Sequence, residues 1–332
     1  MSYESTSVLP TATNLATIRD LLALLGYKPV SGGHQVPDLV GSCFWFDRVD
    51  YRSFTGVEAD VYRESAGQIT VTTRSNASRS HWDLIQQNKT LKLIRDLAGG
   101  QFTTDAGRNR YWRPDGRPMT PRESGCYLAR WRFHNALMRA HVYTSNRRFD
   151  GPIAKDGPSG LFFMDDVNPR LLSNNMLLPY AIAVWEDYFR STFAALLSYS
   201  GRRRNAIKKA ALTANVLEQV ADGHLTVDEA VAESLAFQHP AAIVDQFKLI
   251  DSKADFGAAF RKPYNRRKVA LFDSIAQLVE GRNEFVHTGR MNHLLFDAAL
   301  KRALADLEVA VDRVFKELAR CYDFQTKDDH VW

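Results

Sequence analysis

The spacing of apolar residues predicts a mixture of helices and strands in the first part of the chain. Apolar residues at helical spacing over residues 14–25 predict a helix that ends at Gly26. Three segments rich in aromatic and β-branched residues, at 43–46, 57–62 and 69–73, predict strands. Ser80 and Asp83 form a capping-box pattern that opens a second helix, over residues 80–97. A turn at Asp115 and Gly116 and a helix over residues 123–143 complete this part.

The second part of the chain has helical spacing almost throughout. Helices are predicted at 176–199, 226–237, 264–288 and 292–322; another follows the basic run 202–209 and lasts to residue 220, and a short one begins at Pro240. Turn-forming residues are concentrated between the two parts, over residues 145–172. The sequence therefore predicts an α+β domain (1–145), a linker (146–172), an all-α helical bundle (173–322) and a flexible tail (323–332), with mainly helical content.

The composition narrows the class of protein. Of the residues, 45% are hydrophobic and 24% are charged, an ordinary balance for a globular chain. No apolar run approaches the roughly 18 residues of a membrane helix, and the first residues do not resemble a secretory signal. The three cysteines lie far apart, which disfavours a disulfide framework and a cysteine-based zinc site. These features predict a cytoplasmic protein without a membrane partner.

The positive charge of the chain is mostly arginine. The formal net charge is +5, and 30 arginines stand against 13 lysines. Ten arginines lie between Arg108 and Arg148, interleaved with aromatic residues, and this segment has only two acidic residues. Arginine binds phosphate with a planar fork of donors and stacks on bases. The segment is either a solvated surface or a face for a polyanion. In the second case Arg108, Arg110 and Arg113 are candidate RNA contacts.

The segment from Glu280 to Gly289 carries the clearest candidate chemistry. Asn283 and His287 are four residues apart and share a helix face, and Arg282 can reach the same side. Gly289 ends the predicted helix, so His287 lies in its last turn. The carbonyl groups at the helix end favour a charged imidazole, and a nearby arginine opposes that charge. These two effects together predict that His287 titrates near neutral pH, as a general acid or base requires. Alternatively, these polar residues only cap and pair within their own helix.

The pattern Arg282-Asn283-x-x-x-His287 resembles the Rx4–6H signature of the HEPN superfamily. The resemblance covers residues 173–322, where the order of the helices also fits. It implies a metal-independent endoribonuclease without cofactors that forms a homodimer in which the two motifs meet. Arg282, Asn283 and His287 are then the catalytic residues. It also implies a toxin or phage-defence effector with RNA as its substrate and a protein trigger or antitoxin as a further partner. Because some members are non-catalytic, a nucleic-acid- or protein-binding adaptor that dimerises through the bundle is the alternative.

The chemistry of RNA cleavage is consistent with these residue types. Attack of a 2′-hydroxyl on its own phosphate needs a base, an acid for the leaving 5′ oxygen and a cation for the phosphorane. His287 can serve as base or acid, Arg282 can supply the cation, and Asn283 can orient the imidazole or bind a phosphate oxygen. The products would carry a 2′,3′-cyclic phosphate.

Several other residues have both a functional and a structural interpretation. Gly281 is either a surface glycine or a close contact at a dimer interface. Either Glu186 or Asp187 pairs with Arg282, or both are solvated. Two basic clusters in the bundle either follow an RNA backbone or are simply solvated, and their candidate contacts are Arg202, Arg203, Arg204, Lys208, Arg266 and Arg267.

The sequence predicts no metal site. Glu58 and Asp60 lack the lysine that would complete a metal-nuclease motif, and strand alternation explains their spacing. His134 and His141 share a helix face, but no carboxylate lies near them in the sequence. No glycine-rich phosphate loop is present in the sequence either.

Overall fold

The computed structural model describes residues 2–30, 36–64, 66–114, 116–265 and 267–325. The chain divides into two compact units, with the boundary between Ser124 and Gly125. This boundary lies inside helix α3 (Pro121–Asn146), and therefore earlier than the predicted one at residue 145. A sheet-containing unit is followed by a helical one, which confirms the prediction of an α+β region followed by an all-α region.

The first unit is built on one antiparallel sheet. Its strand order is β2-β3-β4-β5-β1-β6-β7, and every neighbouring pair is antiparallel. The prediction located β3, β4 and β5 and missed the other four strands. The strands are β1 (Tyr3–Val8), β2 (Lys28–Pro29), β3 (Leu39–Trp45), β4 (Val57–Arg63), β5 (Ile69–Ser75), β6 (Gln101–Thr104) and β7 (Gly107–Arg108).

Two helices of the first unit have the ends that the sequence predicts. In α1 (Leu15–Leu24), the Asn14 side chain accepts a hydrogen bond from the Ala16 amide. In α2 (His81–Ala98), Ser80 and Asp83 form the predicted capping box. The carboxylate of Asp83 also accepts bonds from the amides of Phe54 and Thr55, so this cap fixes the loop before β4 as well. The predicted turn at Asp115 lies partly outside the described residues.

The second unit is helical, and α5 runs through its core. Trp185, Phe189 and Phe193 on α5 are completely buried, and this aromatic group extends to residues of other segments, including Phe237 and Phe247. Among the described residues, none of the helices has the length and apolar composition of a membrane span. The helices that follow α3 are α4 (Phe162–Asp166), α5 (Pro169–Leu197), α6 (Arg203–Lys209), α7 (Ala214–Ala221), α8 (Val227–Glu233), α9 (Pro240–Ile250), α10 (Phe256–Arg261), α11 (Leu271–Thr288) and α12 (Asp297–Tyr322).

Three predicted helices begin or divide differently in the structure. The helix predicted from residue 264 begins at Leu271, because Asn265 takes a left-handed φ of 50° and cannot continue a helix. The helix predicted after the basic run begins at Ala214, where Thr213 caps it, and the basic run itself forms the separate helix α6. The last helix begins at Asp297 rather than at residue 292, because Asn174 and Asn175 of α5 hold the preceding residues in a loop.

The predicted linker 146–172 is folded onto the helical unit. It contains a short 3-10 helix (Pro152–Ala154) and α4. Two arginines anchor it, because both Arg147 and Arg170 pair with Asp297 at the start of α12. Phe324, which the sequence places in a flexible tail, packs on Phe315, and residues 326–332 of that tail lie outside the described residues.

Ion pairs join α3 to α12. Arg130 and His134 both contact Asp312, at 2.9 and 3.2 Å, and His141 contacts Glu308 at 3.1 Å. These pairs connect residues that are more than 160 positions apart in the sequence. They explain why α3, which the sequence assigns to the first domain, belongs mainly to the second unit.

The pair of His141 and Glu308 predicts a pH-dependent contribution to stability. The hydrogen bond to Glu308 raises the pKa of His141, although partial burial opposes the shift. The ion pair therefore contributes fully to the free energy of unfolding below about pH 6.5, the pKa of histidine in the unfolded chain. This contribution is lost as the pH rises through the pKa of His141 in the folded protein. We expect His141→Gln to lower the free energy of unfolding more at pH ~5.5 than at pH ~8.5. The difference between the two losses should be less than about 1 kcal/mol, because the pair is partly exposed.

Urea unfolding at the two pH values measures this difference. His224→Gln is the control, because His224 is exposed and has no side-chain partner among the described residues. An equal loss of stability at both pH values in the His141 variant would contradict the assigned role of the pair.

Candidate functional site

The end of α11 places three polar residues of the motif together. Gly289 adopts a left-handed φ of 72° and its amide bonds to the carbonyl of Phe285, which ends the helix as predicted. Leu271, Ile275 and Val279 are buried on the inner side of α11 and fix its rotation. As a result, His287 lies exposed in the last turn, while Arg282 and Asn283 are half-buried one turn earlier.

Arg282 and Asn283 contact each other directly. Nη1 of Arg282 donates a hydrogen bond to Oδ1 of Asn283, at 2.8 Å. The amide oxygen of Asn283 therefore orients the guanidinium of Arg282. The amide oxygen of Asn283 accepts this bond, and the amide N–H groups of Asn283 remain as donors.

The guanidinium of Arg282 has no acidic partner among the described residues. No carboxylate lies within 4 Å of it, and its Nε is buried without a hydrogen-bond partner. A half-buried positive charge normally pairs with an acid, because unpaired burial is costly. Because no carboxylate of the described residues neutralises it, the guanidinium of Arg282 is suited to bind an anion.

The side chain of His287 is likewise free of partners within the described part of the chain. Its neighbours satisfy one another instead: Thr288 donates to the carbonyl of Glu284, and Arg290 lies 3.8 Å from the Glu284 carboxylate. The structural alternative, in which the histidine pairs with Glu280 or Glu284, is not what the geometry shows. Both imidazole nitrogens remain available for proton transfer.

The structure locates two further groups of residues near the motif. Glu186 pairs with Arg190 at 2.7 Å and accepts from Gln238 at 3.1 Å, so it does not pair with Arg282, and Asp187 is exposed. A Cβ atom added to Gly281 would lie 4.0 Å from Leu178 of the same chain, which is an ordinary packing contact between α11 and α5. The Cβ direction of this glycine therefore faces α5 of its own bundle.

Some of the candidate basic residues of the bundle are exposed, and others are paired with carboxylates. Arg204 and Lys208 are exposed, and Arg202 is exposed with one bond to the Lys248 carbonyl. Arg203 is paired with Asp228 at 2.6 Å. Arg267 donates to both oxygens of the buried Asp306, at 2.6 and 2.7 Å, and so serves the bundle rather than a ligand. Arg266 lies outside the described residues.

The arginine-rich segment 108–148 does not form one face of one domain. Arg108, Arg110 and Arg113 are exposed and belong to the first unit. Arg130 and Arg147 belong to the second unit and neutralise Asp312 and Asp297. The aromatic residues divide in the same way. Trp112 and Phe133 are buried in the two units, whereas Trp131, expected on the core stripe of α3, is partly exposed.

The aromatic residues near the exposed arginines form a stacked arrangement in the first unit. The ring of Tyr3 stacks on Trp112 with a centroid distance of 4.3 Å, and Arg79 lies over the Tyr3 ring at 3.1 Å. Asn88 holds the backbone of Trp112 through two hydrogen bonds. These contacts fix the segment that carries Arg110 and Arg113. The sequence did not indicate this arrangement, because Tyr3 and Arg79 are distant from that segment along the chain.

The histidines considered for a metal site have carboxylate partners after all. The partners, Asp312 and Glu308, come from α12 and not from neighbouring sequence. Each histidine is nevertheless part of a separate ion pair. The described residues contain no group of three or more His, Cys, Asp or Glu side chains suited to a metal ion.

A second histidine lies just beyond the motif and was missed in the sequence. His293, in the loop between α11 and α12, contacts Asp166 at 3.2 Å and stacks on Phe162 with a centroid distance of 4.5 Å. Both partners lie on α4, in the segment predicted as a linker, so their proximity could not be inferred from spacing. The position of His293 so soon after the motif was the one available signal.

The comparisons with known proteins do not extend this description. The chain matches no known protein family, no characterised protein and no solved structure. The functional interpretation therefore depends on the residues and geometry of the site.

Proposed function

We propose that this chain is a cytoplasmic, metal-independent endoribonuclease that resembles the HEPN superfamily and acts as a toxin or phage-defence effector. The observation that carries the proposal is the pairing of two features at the end of α11. Arg282 is a half-buried cation without an acidic partner among the described residues, and His287 in the same helix end has a free imidazole.

The proposed reaction is transesterification within the RNA. The 2′-oxygen attacks the adjacent phosphorus, the P–O2′ bond forms and the P–O5′ bond breaks. His287 accepts the 2′-hydroxyl proton, and an acid delivers a proton to the departing 5′ oxygen. The donors of Arg282 and Asn283 stabilise the added negative charge on the phosphorane. The products are a 2′,3′-cyclic phosphate and a 5′-hydroxyl.

The arrangement favours an oxyanion over other ligands. Arg282 offers only donors, and the carbonyl oxygen of Asn283 already accepts one hydrogen bond from Arg282. The side chains of this pair therefore offer mostly N–H donors to a ligand. A phosphodiester, which brings only acceptors, is therefore the matching group.

We assign substrate contacts outside the site to the exposed basic residues. In the bundle these are Arg202, Arg204 and Lys208, and in the first unit they are Arg108, Arg110 and Arg113. Exposed arginines bind the phosphate backbone irrespective of sequence, with an affinity that falls as salt rises. Arg203 and Arg267 are removed from the proposed contacts, because each is paired with a carboxylate.

An assay on RNA in the presence of EDTA tests the proposal. We expect cleavage to persist without metal and to stop when the nucleotide 5′ to the cut carries 2′-deoxyribose, since that sugar has no attacking group. Cleavage that disappears in EDTA and returns with magnesium would refute the mechanism. Binding of RNA without any cleavage would favour the alternative of a non-catalytic adaptor.

A further inference from the structure

A cavity that is open to solvent lies between α10 and α12 of the helical unit. Its volume is about 550 Å³, which is within the range of roughly 300–1,000 Å³ that small-molecule sites have in proteins. Ala258 and Ala259 line it on α10, and their short side chains leave room for a ligand. The charged residues that line the cavity are Asp255, Arg261, Lys262, Glu317 and Arg320.

The two helices that form the cavity are fixed to each other near both ends of α10. Before the first turn, the carboxylate of Glu317 accepts a hydrogen bond from the Asp255 amide, at 3.3 Å. At the last turn, the guanidinium of Arg313 donates to the carbonyls of Ala259 and Pro263, at 3.3 and 2.9 Å. The cavity is therefore held open by contacts within the protein, which lowers the entropy cost of filling it.

The two acidic residues of the cavity have local partners. One oxygen of Asp255 caps α10, because it accepts a hydrogen bond from the Ala258 amide at 2.9 Å. Both oxygens of Glu317 accept hydrogen bonds from Arg320, at 2.6 and 2.9 Å, and these bonds lower the pKa of Glu317. Glu317 therefore neutralises Arg320 rather than the other cations of the cavity.

Arg261 and Lys262 have no carboxylate within 4 Å among the described residues. The guanidinium of Arg261 lies 4.0 Å from the centre of the Phe272 ring, which fixes its position, and Lys262 is exposed. Cations at the end of a helix often serve its last carbonyls. Here Arg313 already donates to the carbonyls of Ala259 and Lys262. The side chains of Arg261 and Lys262 are therefore available to a ligand in the cavity.

Two neighbouring cations match the charge of a phosphate monoester. Such a group carries about −1.5 to −2 charges at neutral pH, whereas a carboxylate carries a single one. Arginine offers phosphate a planar fork of donors, and lysine offers a mobile point charge. The cavity is larger than a phosphate group alone requires, so the alanine side of α10 leaves space for the organic part of the same molecule.

We propose that this cavity binds a small phosphorylated molecule of the size of a nucleoside monophosphate, with Arg261 and Lys262 on its phosphate group. The cavity is distinct from the candidate site at the end of α11. Phe272, on which Arg261 lies, is in the first turn of α11, and His287 follows about 22 Å further along the helix. Binding in the cavity therefore does not depend on the proposed cleavage of RNA.

Isothermal titration calorimetry of the full chain with AMP tests the proposal, and adenosine is the matched probe without a phosphate group. We expect AMP to bind with a Kd below about 1 mM. Adenosine should bind at least about 10-fold more weakly, and so should AMP to Arg261→Gln/Lys262→Gln, because both changes remove charge-assisted hydrogen bonds. Ala258→Leu should also weaken AMP binding, since it fills the cavity without a change of charge.

The control variant is Arg139→Gln/Lys301→Gln. It removes one exposed arginine and one exposed lysine of the same unit that do not line the cavity, so it should bind AMP like the wild type. Circular dichroism checks that each variant is folded.

Three results would overturn the proposal. The first is the absence of AMP binding to the wild type at about 1 mM, and the second is binding that is unchanged in both cavity variants. The third is adenosine binding as tightly as AMP, which would remove the role of the phosphate group. If a single-stranded RNA binds through Arg261 and Lys262 and AMP does not, the two cations belong to an RNA surface and the cavity is not a small-molecule site.

Discussion

Replacement of His287 by alanine is expected to lower the rate of RNA cleavage by about 10²–10⁴-fold, the usual contribution of a general acid or base. The fold should be unaffected, because the side chain is exposed and has no partner among the described residues. Single-turnover cleavage of a labelled RNA in EDTA measures the rate, and a thermal melt measures the stability. His224→Ala is the control, since it removes an exposed imidazole elsewhere in the same unit.

Variants of Arg282 separate charge from geometry at the same site. Arg282→Ala should lose cleavage to a similar extent, because the phosphorane loses its cation. Arg282→Lys should retain a small part of the activity, since lysine supplies the charge but not the planar fork that Asn283 orients. Unchanged cleavage in both the His287 and the Arg282 alanine variants would remove the end of α11 from the mechanism and leave the adaptor interpretation.

The parts of the fold that could be predicted from the sequence are those with local signals. The capping box at Ser80, the stop at Gly289 and the β-branched run of β5 each depend on neighbouring residues, and the structure confirms them. The candidate site was predictable for the same reason, because Arg282, Asn283 and His287 lie within one helix end.

Strand β1 could not be predicted because its inward side chains are polar. Ser5 and Ser7 face the interior, where an apolar and polar alternation would normally reveal a strand. Ser5 bonds to Thr73 of β5 at 2.6 Å. Next to this pair, Gln87 of α2 accepts from Ser75 at 2.8 Å and donates to the Thr73 carbonyl. The hydrogen bonds of Ser5 and Gln87 are made inside the protein, but their partners are distant in sequence.

The boundary of the units and the partner of Glu186 also depend on distant residues. The weakly amphipathic α3 is assigned to the helical unit by ion pairs with α12 that no local pattern indicates. Glu186 faces Gln238, which the loop before α9 brings to it. Helical spacing predicts on which face of its helix a residue lies, but it does not predict which other segment packs against that face.

Replacement of Asp297 by alanine is expected to destabilise the helical unit by about 3–5 kcal/mol, the usual cost of removing one partner from a buried ion pair. Arg147 is only 3% exposed and its Nε has no hydrogen-bond partner among the described residues. Loss of the carboxylate would leave its charge with the Ser173 hydroxyl and the rings of Tyr143 and Phe149, and with no described acid. Arg170 would lose its 2.7 Å bond. Such a loss is a large share of the 5–15 kcal/mol that stabilises a typical protein.

The pH dependence of the same cluster follows from its charges. Burial by itself would raise the pKa of Asp297, but hydrogen bonds from Asn174 and Arg170 and the charge of Arg147 lower it overall. Asp297 therefore stabilises the fold fully above about pH 3.9, the pKa of aspartate in the unfolded chain. This stabilisation is lost as the pH falls through the pKa of Asp297 in the folded protein. The difference between wild type and Asp297→Ala should shrink below pH ~4.

Urea unfolding followed by circular dichroism measures both effects, and two further variants identify their cause. Asp245→Ala is the control, because Asp245 forms an exposed pair with Lys248 at 3.5 Å and its loss should cost less than about 0.5 kcal/mol. Adding Arg147→Met to Asp297→Ala should recover part of the stability, since it removes the buried unpaired charge. If the double variant is as unstable as the sum of the two single ones, the cost arises from lost packing and not from the charge of Arg147.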